Sequence, residues 1–327
     1  MDFRRFTASV PTLIDLNDID DSPGQYCMSF GFDIKPLINS IEAFGLINIP
    51  FVTRNGDGLM DIVAGYRRVM ALKSLKRDKI PCIDFSDSGL STLELLNFSL
   101  HDNLPTRTFN NVEKGMILNR LNPYVSKRAL RGDYMPLLKI SSSRDLDILM
   151  KIEGFTKPNK ETIAGGKISL KTIGLILELD KHSRPAVFQM INDLRFNFNQ
   201  QLTFIEYIVD ISIKEEVPVP ELLDEDQLKG VSHDRKLNTP QKAKKMLDLL
   251  RTRRFPFLTG KEKGFNKKIA RLDLPKNVRI EHPPFFETVD YRLEINFRTG
   301  KELKKTVDIL ARIEGLDKIE DSSKKDL

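Results

Sequence analysis

The stretch Leu59-Met60-Asp61-Ile62-Val63-Ala64-Gly65-Tyr66-Arg67-Arg68-Val69-Met70-Ala71 changes character at Ala64-Gly65. Leu59 to Val63 reads as a strand, and the helix that opens just after it carries Arg67, Arg68, Met70, Ala71 and Leu75. A strand ending at a helix start leaves backbone N–H groups free at the helix N-terminus, and such an end attracts phosphate. Arg67 and Arg68 in the first turn oppose the helix dipole. A bound anion would offset that conflict, and arginine is suited to bidentate phosphate contact. The alternative is a solvated arginine pair on a surface helix.

Outward from this point the pattern is regular. Leu37, Ile38, Ile41 and Phe44 recur at helical spacing and Gly45 stops them. Ile49 to Thr53 is an extended run, and Asn55-Gly56-Asp57-Gly58 is a hairpin turn into the strand at Leu59. Lys79 to Phe85 is a further strand. Helix, strand, hairpin, strand, helix, strand make a compact α+β unit. Leu90 to Leu100 and Phe109 to Leu121 read as helices, the second with Asn110 and Glu113 at capping-box spacing. Helical spacing then continues to about Ile213. Glu215 to Gly230 is acidic and carries Pro218 and Pro220, which reads as a linker. A basic helix follows, with Thr239 as expected N-cap and Pro240 at its first position. The last part reads as a strand at Val278 to Glu281, another at Val289 to Phe297, a helix from Gly300 to Ile313, and a polar tail from Asp317. The domains expected are 1–100, 101–214, a linker at 215–238, and 239–327.

The composition narrows the class. Of 327 residues 40% are hydrophobic, which suffices for ordinary cores, and no window approaches the ~18 apolar residues that a membrane span requires. The first five residues do not read as a signal peptide. Cys27 and Cys82 lack metal-type spacing and read as reduced core residues, so a cytoplasmic location is expected. The four histidines are scattered and form no convincing metal cluster. The net charge of +6 is unevenly spread: residues 235–279 hold fifteen Lys or Arg against three acids, net +12, leaving −6 elsewhere. Such separation suits a polyanion partner on one region.

The stretch from Leu37 to Phe85 resembles the N-terminal domain of the ParB family. The family's order is an apolar helix ending in Gly-Leu, a Gln-Pro strand, a strand ending in Gly-Glu-Arg-Arg, a helix, and a strand with Ile-Pro. Here these read Gly45-Leu46-Ile47-Asn48-Ile49-Pro50, then Ile62-Val63-Ala64-Gly65-Tyr66-Arg67-Arg68, then Ile80-Pro81. Asp102-Asn103-Leu104, Arg107, Asn110 and Glu113 approximate the family's Glu-Asn-Leu-Gln-Arg motif and the Asn and Glu after it. Gly166-Lys167-Ile168-Ser169 looks like the Gly-x-Leu-Ser turn of the family's central domain. The likeness spans roughly residues 10 to 210. It implies a ParB/sulfiredoxin-like N-terminal domain, an all-helical middle with a degenerate helix-turn-helix, and, beyond it, a small α/β C-terminal unit.

The resemblance also implies a pocket for CTP or a related nucleotide with Mg²⁺. Its residues would be Asn48, Gly65, Arg67, Arg68, Asp102, Asn103 and Arg107, with Asn103 on the metal. Asp102 and Asn103 do carry the oxygen ligands that a nucleotide-bound Mg²⁺ accepts, although an Asx turn ending the helix would use the same residues. The chain departs from the family at Tyr66 and Asp102, where the family has Glu, at Asn48-Ile49 in place of Gln-Pro, and in an Arg107 one residue farther from Asn103. These departures bear on CTP hydrolysis more than on fold. The nucleophilic Cys of sulfiredoxin falls at Tyr66, which excludes that chemistry.

DNA is the expected partner, by two routes. The family's helix-turn-helix corresponds to Tyr134–Ile152, where Ser142, Ser143 and Arg144 would begin the recognition helix, followed at once by Asp145 and Asp147. Lys242, Lys244, Lys245, Arg251, Arg253 and Arg254 stand on or just after the basic helix, and Lys261, Lys263, Lys267 and Lys268 follow, suited to salt-dependent, non-specific contact. A solvated helix face balancing the acidic segment is the alternative. The reading is a DNA-binding protein with a nucleotide pocket, acting in DNA partition or transcriptional regulation. A homodimer is expected, the terminal strand-strand-helix unit being one place for its interface, and a partner ATPase is left unidentified. The rivals are an enzyme (a weak CTPase, or a nucleotidase, kinase or nuclease) and a scaffold with a vestigial pocket.

Overall fold

The computed structural model describes residues 10–288, 290–316 and 319. The first nine residues, Val289 at the start of an expected strand, and the expected polar tail from Asp317 apart from Ile319 lie outside the described residues. The chain divides into two compact units, Met1–Leu202 and Thr203–Leu327.

The first unit begins with a mixed sheet. Its strands are β1 (Thr12–Asp15), β2 (Ile19–Asp20), β3 (Phe51–Arg54), β4 (Met60–Ala64) and β5 (Lys79–Asp84), with α1 (Lys35–Phe44) and α2 (Tyr66–Ser74) inserted in the order read from the sequence. The spatial order is β1-β5-β3-β4-β2. β3 and β4 form the antiparallel hairpin, while β3 pairs with β5 in parallel. Asn55 closes the hairpin: its side-chain oxygen accepts from the N–H groups of Asp57 and Leu59 at 3.0 Å each. Alternation turns Val52, Ile62, Ile80 and Cys82 inward, where Val69, Ala71 and Leu72 of α2 and Ile41 of α1 cover them. Cys27 and Cys82 are buried free thiols, and burial pushes Cys82 up to about 12.

Helices follow: α3 (Thr92–Asn103), α4 (Asn111–Leu121), α5 (Lys127–Ala129), α6 (Met135–Leu137), α7 (Ser143–Lys151), α8 (Lys157–Ala164), α9 (Leu170–Glu178), α10 (Ser183–Leu194) and α11 (Phe198–Glu215). The fold is α+β with a helical middle. Asn110 and Glu113 form the capping box of α4 as expected, and Ser169 caps α9. α7 packs closely on two neighbours through glycine. A Cβ on Gly115 of α4 would run into the Leu149 carbonyl, and one on Gly174 of α9 would come within 2.9 Å of Ile148 Cδ1. The backbone is helical from Lys127 to Leu137, with a π-helical turn at Leu130–Tyr134 between α5 and α6, and Lys139 just after it takes a left-handed φ of 52°.

The second unit holds most of α11, then α12 (Val219–Asp224), α13 (Asp226–His233), α14 (Thr239–Arg254), α15 (Pro256–Ala270), β6 (Val278–Glu281), β7 (Arg292–Ile295) and α16 (Gly300–Leu310). Three sequence expectations are corrected here. The acidic segment at 215–238 is largely helical. Pro218 and Pro220 stand at the N-cap and first turn of α12, where proline starts a helix, and Leu222, Leu223, Leu228 and Val231 are buried. The cap of α14 is Asn238, not Thr239: its side chain accepts from Gln241 N–H at 3.0 Å and Gln241 Oε1 accepts from Asn238 N–H at 3.0 Å. The last strand and helix are shorter than their apolar patterns suggested. β7 pairs with β6 over four residues on each strand, and α16 ends at Leu310. Among the described residues no helix is long and apolar enough to cross a membrane.

Candidate functional site

A cleft of about 600 Å³ opens at the C-terminal end of β4, and all seven residues read as a pocket line it: Asn48, Gly65, Arg67, Arg68, Asp102, Asn103 and Arg107. They come from four places in the chain. Gly65 caps α2 with φ 95°, a conformation that glycine adopts without penalty. A Cβ there would sit 3.0 Å from Arg68 Nε and 3.1 Å from Pro50 Cα. The left-handed turn favours glycine, and a Cβ would also crowd the Arg68 side chain folded over it.

Arg68 reaches across to the other wall. It donates to the Ile49 carbonyl at 3.2 Å and to Asp102 Oδ2 at 3.0 Å. Asp102 and Asn103 stand on the last turn of α3, not on a turn beyond it. Arg67 turns the opposite way, donating to Glu113 Oε1 at 2.9 Å and Ser29 Oγ at 3.3 Å with its guanidinium 4.7 Å from the Phe32 ring centre. Arg107 meets it there. Its Nε donates to Asn103 Oδ1 at 2.8 Å, its Nη1 to Glu113 Oε1 at 2.5 Å, and its Nη2 to the Met28 carbonyl at 2.6 Å. Burial pushes Arg107 below its ordinary value, and the Glu113 carboxylate opposes that shift. Three guanidinium groups thus share two carboxylates, which leaves the cleft with a surplus of positive charge.

Glu113 is legible in the sequence as a cap and a motif position, not as a partner of Arg67, and Ser29 and Phe32 carry no signal at all. Nothing in their local pattern points to Arg67, which lies 46 residues from Glu113 and 38 from Ser29.

The expected metal role of Asn103 does not fit this arrangement. Its oxygen accepts from the Arg107 guanidinium while its amide nitrogen donates to the Ser99 carbonyl at 2.8 Å, so a dication at that oxygen would face a fixed positive charge. Among the described residues no group of three His, Cys, Asp or Glu side chains is placed to hold a metal ion. Tyr66, in the place of the family glutamate, donates its hydroxyl to the Asp21 carbonyl at 3.0 Å, and burial pushes it above the usual phenol value.

The residues read as DNA contacts fall in both units. Ser142, Ser143 and Arg144 are exposed at the start of α7. Ser142 caps the helix through Asp145 N–H at 3.1 Å, and Arg144 pairs with Glu178 at 3.1 Å. In the second unit the arginines of α14 are taken up by carboxylates. Arg251 forms a two-bond pair with Glu262, Arg253 pairs with Glu215 and Glu225, and Arg254 pairs with Glu206 and Asp210. Lys242 donates to the Ser232 carbonyl at 2.8 Å and Lys245 lies 3.6 Å from Asp234. These three arginines are therefore engaged within the fold, while Lys244, Lys263, Lys267 and Lys268 are exposed.

Comparison with known proteins agrees with the first part of the chain. The family model of the ParB N-terminal domain matches residues 6–104. No curated protein sequence matches the chain. Solved structures similar in part include two of one protein. One is the C-terminally truncated chromosome-partitioning protein ParB from Caulobacter crescentus complexed with CTP-gamma-S, at 17% identity and a TM-score of 0.27, covering 56% of this chain and 98% of that one. The other is the same truncated protein complexed to the centromeric parS site, at 14% identity and a TM-score of 0.33, covering 58% and 96%.

Proposed function

We propose, for a chain whose residues 6–104 match the ParB N-terminal domain, that the cleft between Gly65–Arg68 and Asp102–Arg107 binds a nucleoside triphosphate of the CTP type. The observation that carries this reading is that Arg67, Arg68 and Arg107 all line one cleft of about 600 Å³, which the first turn of α2 also lines. The protein acts as a DNA-binding protein in partition or transcriptional regulation. Its DNA contacts are the exposed lysines of α14 and α15, together with Ser143 and Arg144 at the start of α7.

The nucleotide serves as a ligand and is not turned over quickly. Tyr66 stays neutral near physiological pH and its hydroxyl is spent on the Asp21 carbonyl, so it cannot supply the charge of the family glutamate. Binding stabilises the folded chain by mass action. Calorimetry with CTP, UTP, ATP and GTP, each with and without Mg²⁺, tests the site. Binding of CTP with a ligand-dependent rise in melting temperature is expected, and no phosphate release. Sustained release that Asn103→Ala abolishes would replace this reading with an enzyme.

A further inference from the structure

Glu113 is 1% exposed and its two oxygens do different work. Oε2 accepts from Asn110 N–H at 3.0 Å, which completes the cap of α4. A helix cap needs no more than that. Oε1 instead accepts from Arg67 Nη2 at 2.9 Å and Arg107 Nη1 at 2.5 Å, both on residues that line the cleft, and from Phe30 N–H at 3.1 Å. The segment it tethers through Phe30 also brings the Ser29 hydroxyl to both arginines, 3.3 Å from Arg67 Nε and 3.1 Å from Arg107 Nη2.

From this geometry we infer that Glu113 is the positioning residue of the anion site: one buried carboxylate oxygen holds Arg67 and Arg107 side by side, aimed into the cleft. The inference rests on the nucleotide reading above and names the group that pre-organises it. Two guanidinium groups on one carboxylate leave one positive charge uncompensated, and an entering phosphate supplies the missing acceptor. Without the carboxylate the two cations repel at short range in a partly desolvated site and separate. Charge and position therefore predict opposite signs. Removing a negative charge from the cleft should strengthen anion binding if only net charge mattered, and should weaken it if Glu113 sets the arginines' placement.

The test titrates the full chain with CTP and, separately, with inorganic tripolyphosphate. The proteins are the wild type, Glu113→Gln, Glu113→Asp and Ser91→Ala, the last removing part of the equivalent capping box of α3. Glu113→Gln keeps a capping side chain and is expected to weaken both ligands about tenfold, the scale of a charged hydrogen bond, with Glu113→Asp losing clearly less. Ser91→Ala should leave both affinities unchanged. Equal or tighter binding by Glu113→Gln overturns the inference, as does a loss in Glu113→Asp as large as that in Glu113→Gln, which would show that the retained charge does not matter. If Glu113→Gln does not fold, Glu113→Asp carries the test, and unchanged affinity for both ligands overturns it. Wild-type protein that binds tripolyphosphate but not CTP sinks the nucleotide reading and spares the arginine pair, whereas binding of neither sinks both.

Discussion

Three arginines stand in the N-terminal cleft and three on α14, and the two sets differ in what faces them. In the cleft Arg67, Arg68 and Arg107 meet two carboxylates, Glu113 and Asp102. On α14 Arg251, Arg253 and Arg254 meet five: Glu262, Glu215, Glu225, Glu206 and Asp210. Arg254 also lies over the rings of Tyr207 and Phe255, at 5.0 and 4.5 Å. The helix in the segment richest in basic residues thus has its three arginines neutralised within the fold, while a sparser group keeps a surplus. Counting charge along a sequence measures what the chain carries, not what a ligand meets, because a folded carboxylate can come from any distance.

The largest effect expected is at Arg68. Arg68→Ala removes the guanidinium that spans from Ile49 to Asp102 across the cleft. Nucleotide affinity should fall about 100-fold with the melting temperature little changed, since the Asp102 carboxylate is partly exposed and water can take the place of its partner. Calorimetry with the same ligand series reads it, and an unchanged dissociation constant removes Arg68 from the site.

DNA affinity sharpens the contrast from the other side. Replacing Lys244, Lys263, Lys267 and Lys268 together by Gln should weaken binding to unrelated duplexes about tenfold at moderate salt. The slope of log affinity against log salt should fall by roughly 0.9 for each phosphate that is no longer neutralised. Replacing Arg254 by Gln should leave that slope where it was. A slope that drops as much for Arg254 as for a lysine would break the comparison, since it would show the ion pairs opening to DNA.

The smallest effect is one of stability. Arg253→Ala strips Glu215 and Glu225 of their partner at a partly exposed position, and a loss of ~1 kcal/mol is expected near neutral pH. The Arg253 hydrogen bond holds the Glu215 carboxyl below its ordinary value. A depressed folded-state value gives stabilisation that is complete above the unfolded value of about 4.3 and is lost as pH falls through the folded one. Urea denaturation should therefore show wild type and variant converging below about pH 4 and separated by a constant gap above about pH 5. A gap that persists in acid would mean that the arginine stabilises by packing alone.

The order of elements in the N-terminal domain is legible in the sequence because each rests on a local signal. The period of Leu37, Ile38 and Ile41, the Asn55–Gly58 turn, and the glycine between Ala64 and Tyr66 all act within a few residues. The acidic segment misleads for the same reason. Proline marks a helix start as readily as a break, and only the burial of Leu222, Leu223, Leu228 and Val231 separates the two.

By itself the sequence determined the strand-to-helix turn at Gly65 with Arg67 and Arg68 just after it, since backbone conformation and order along the chain are local properties, whereas a pocket shared with Asp102, Asn103 and Arg107 was an expectation from the family resemblance. Only the tertiary structure decided which charges are free. It turned Glu113 from a helix cap into the anchor of two arginines, took the oxygen of Asn103 for Arg107, and spent the arginines of α14 on carboxylates up to 48 residues away. Electrostatic pairing depends on distance in space and on burial, and neither is written in the spacing of residues along the chain.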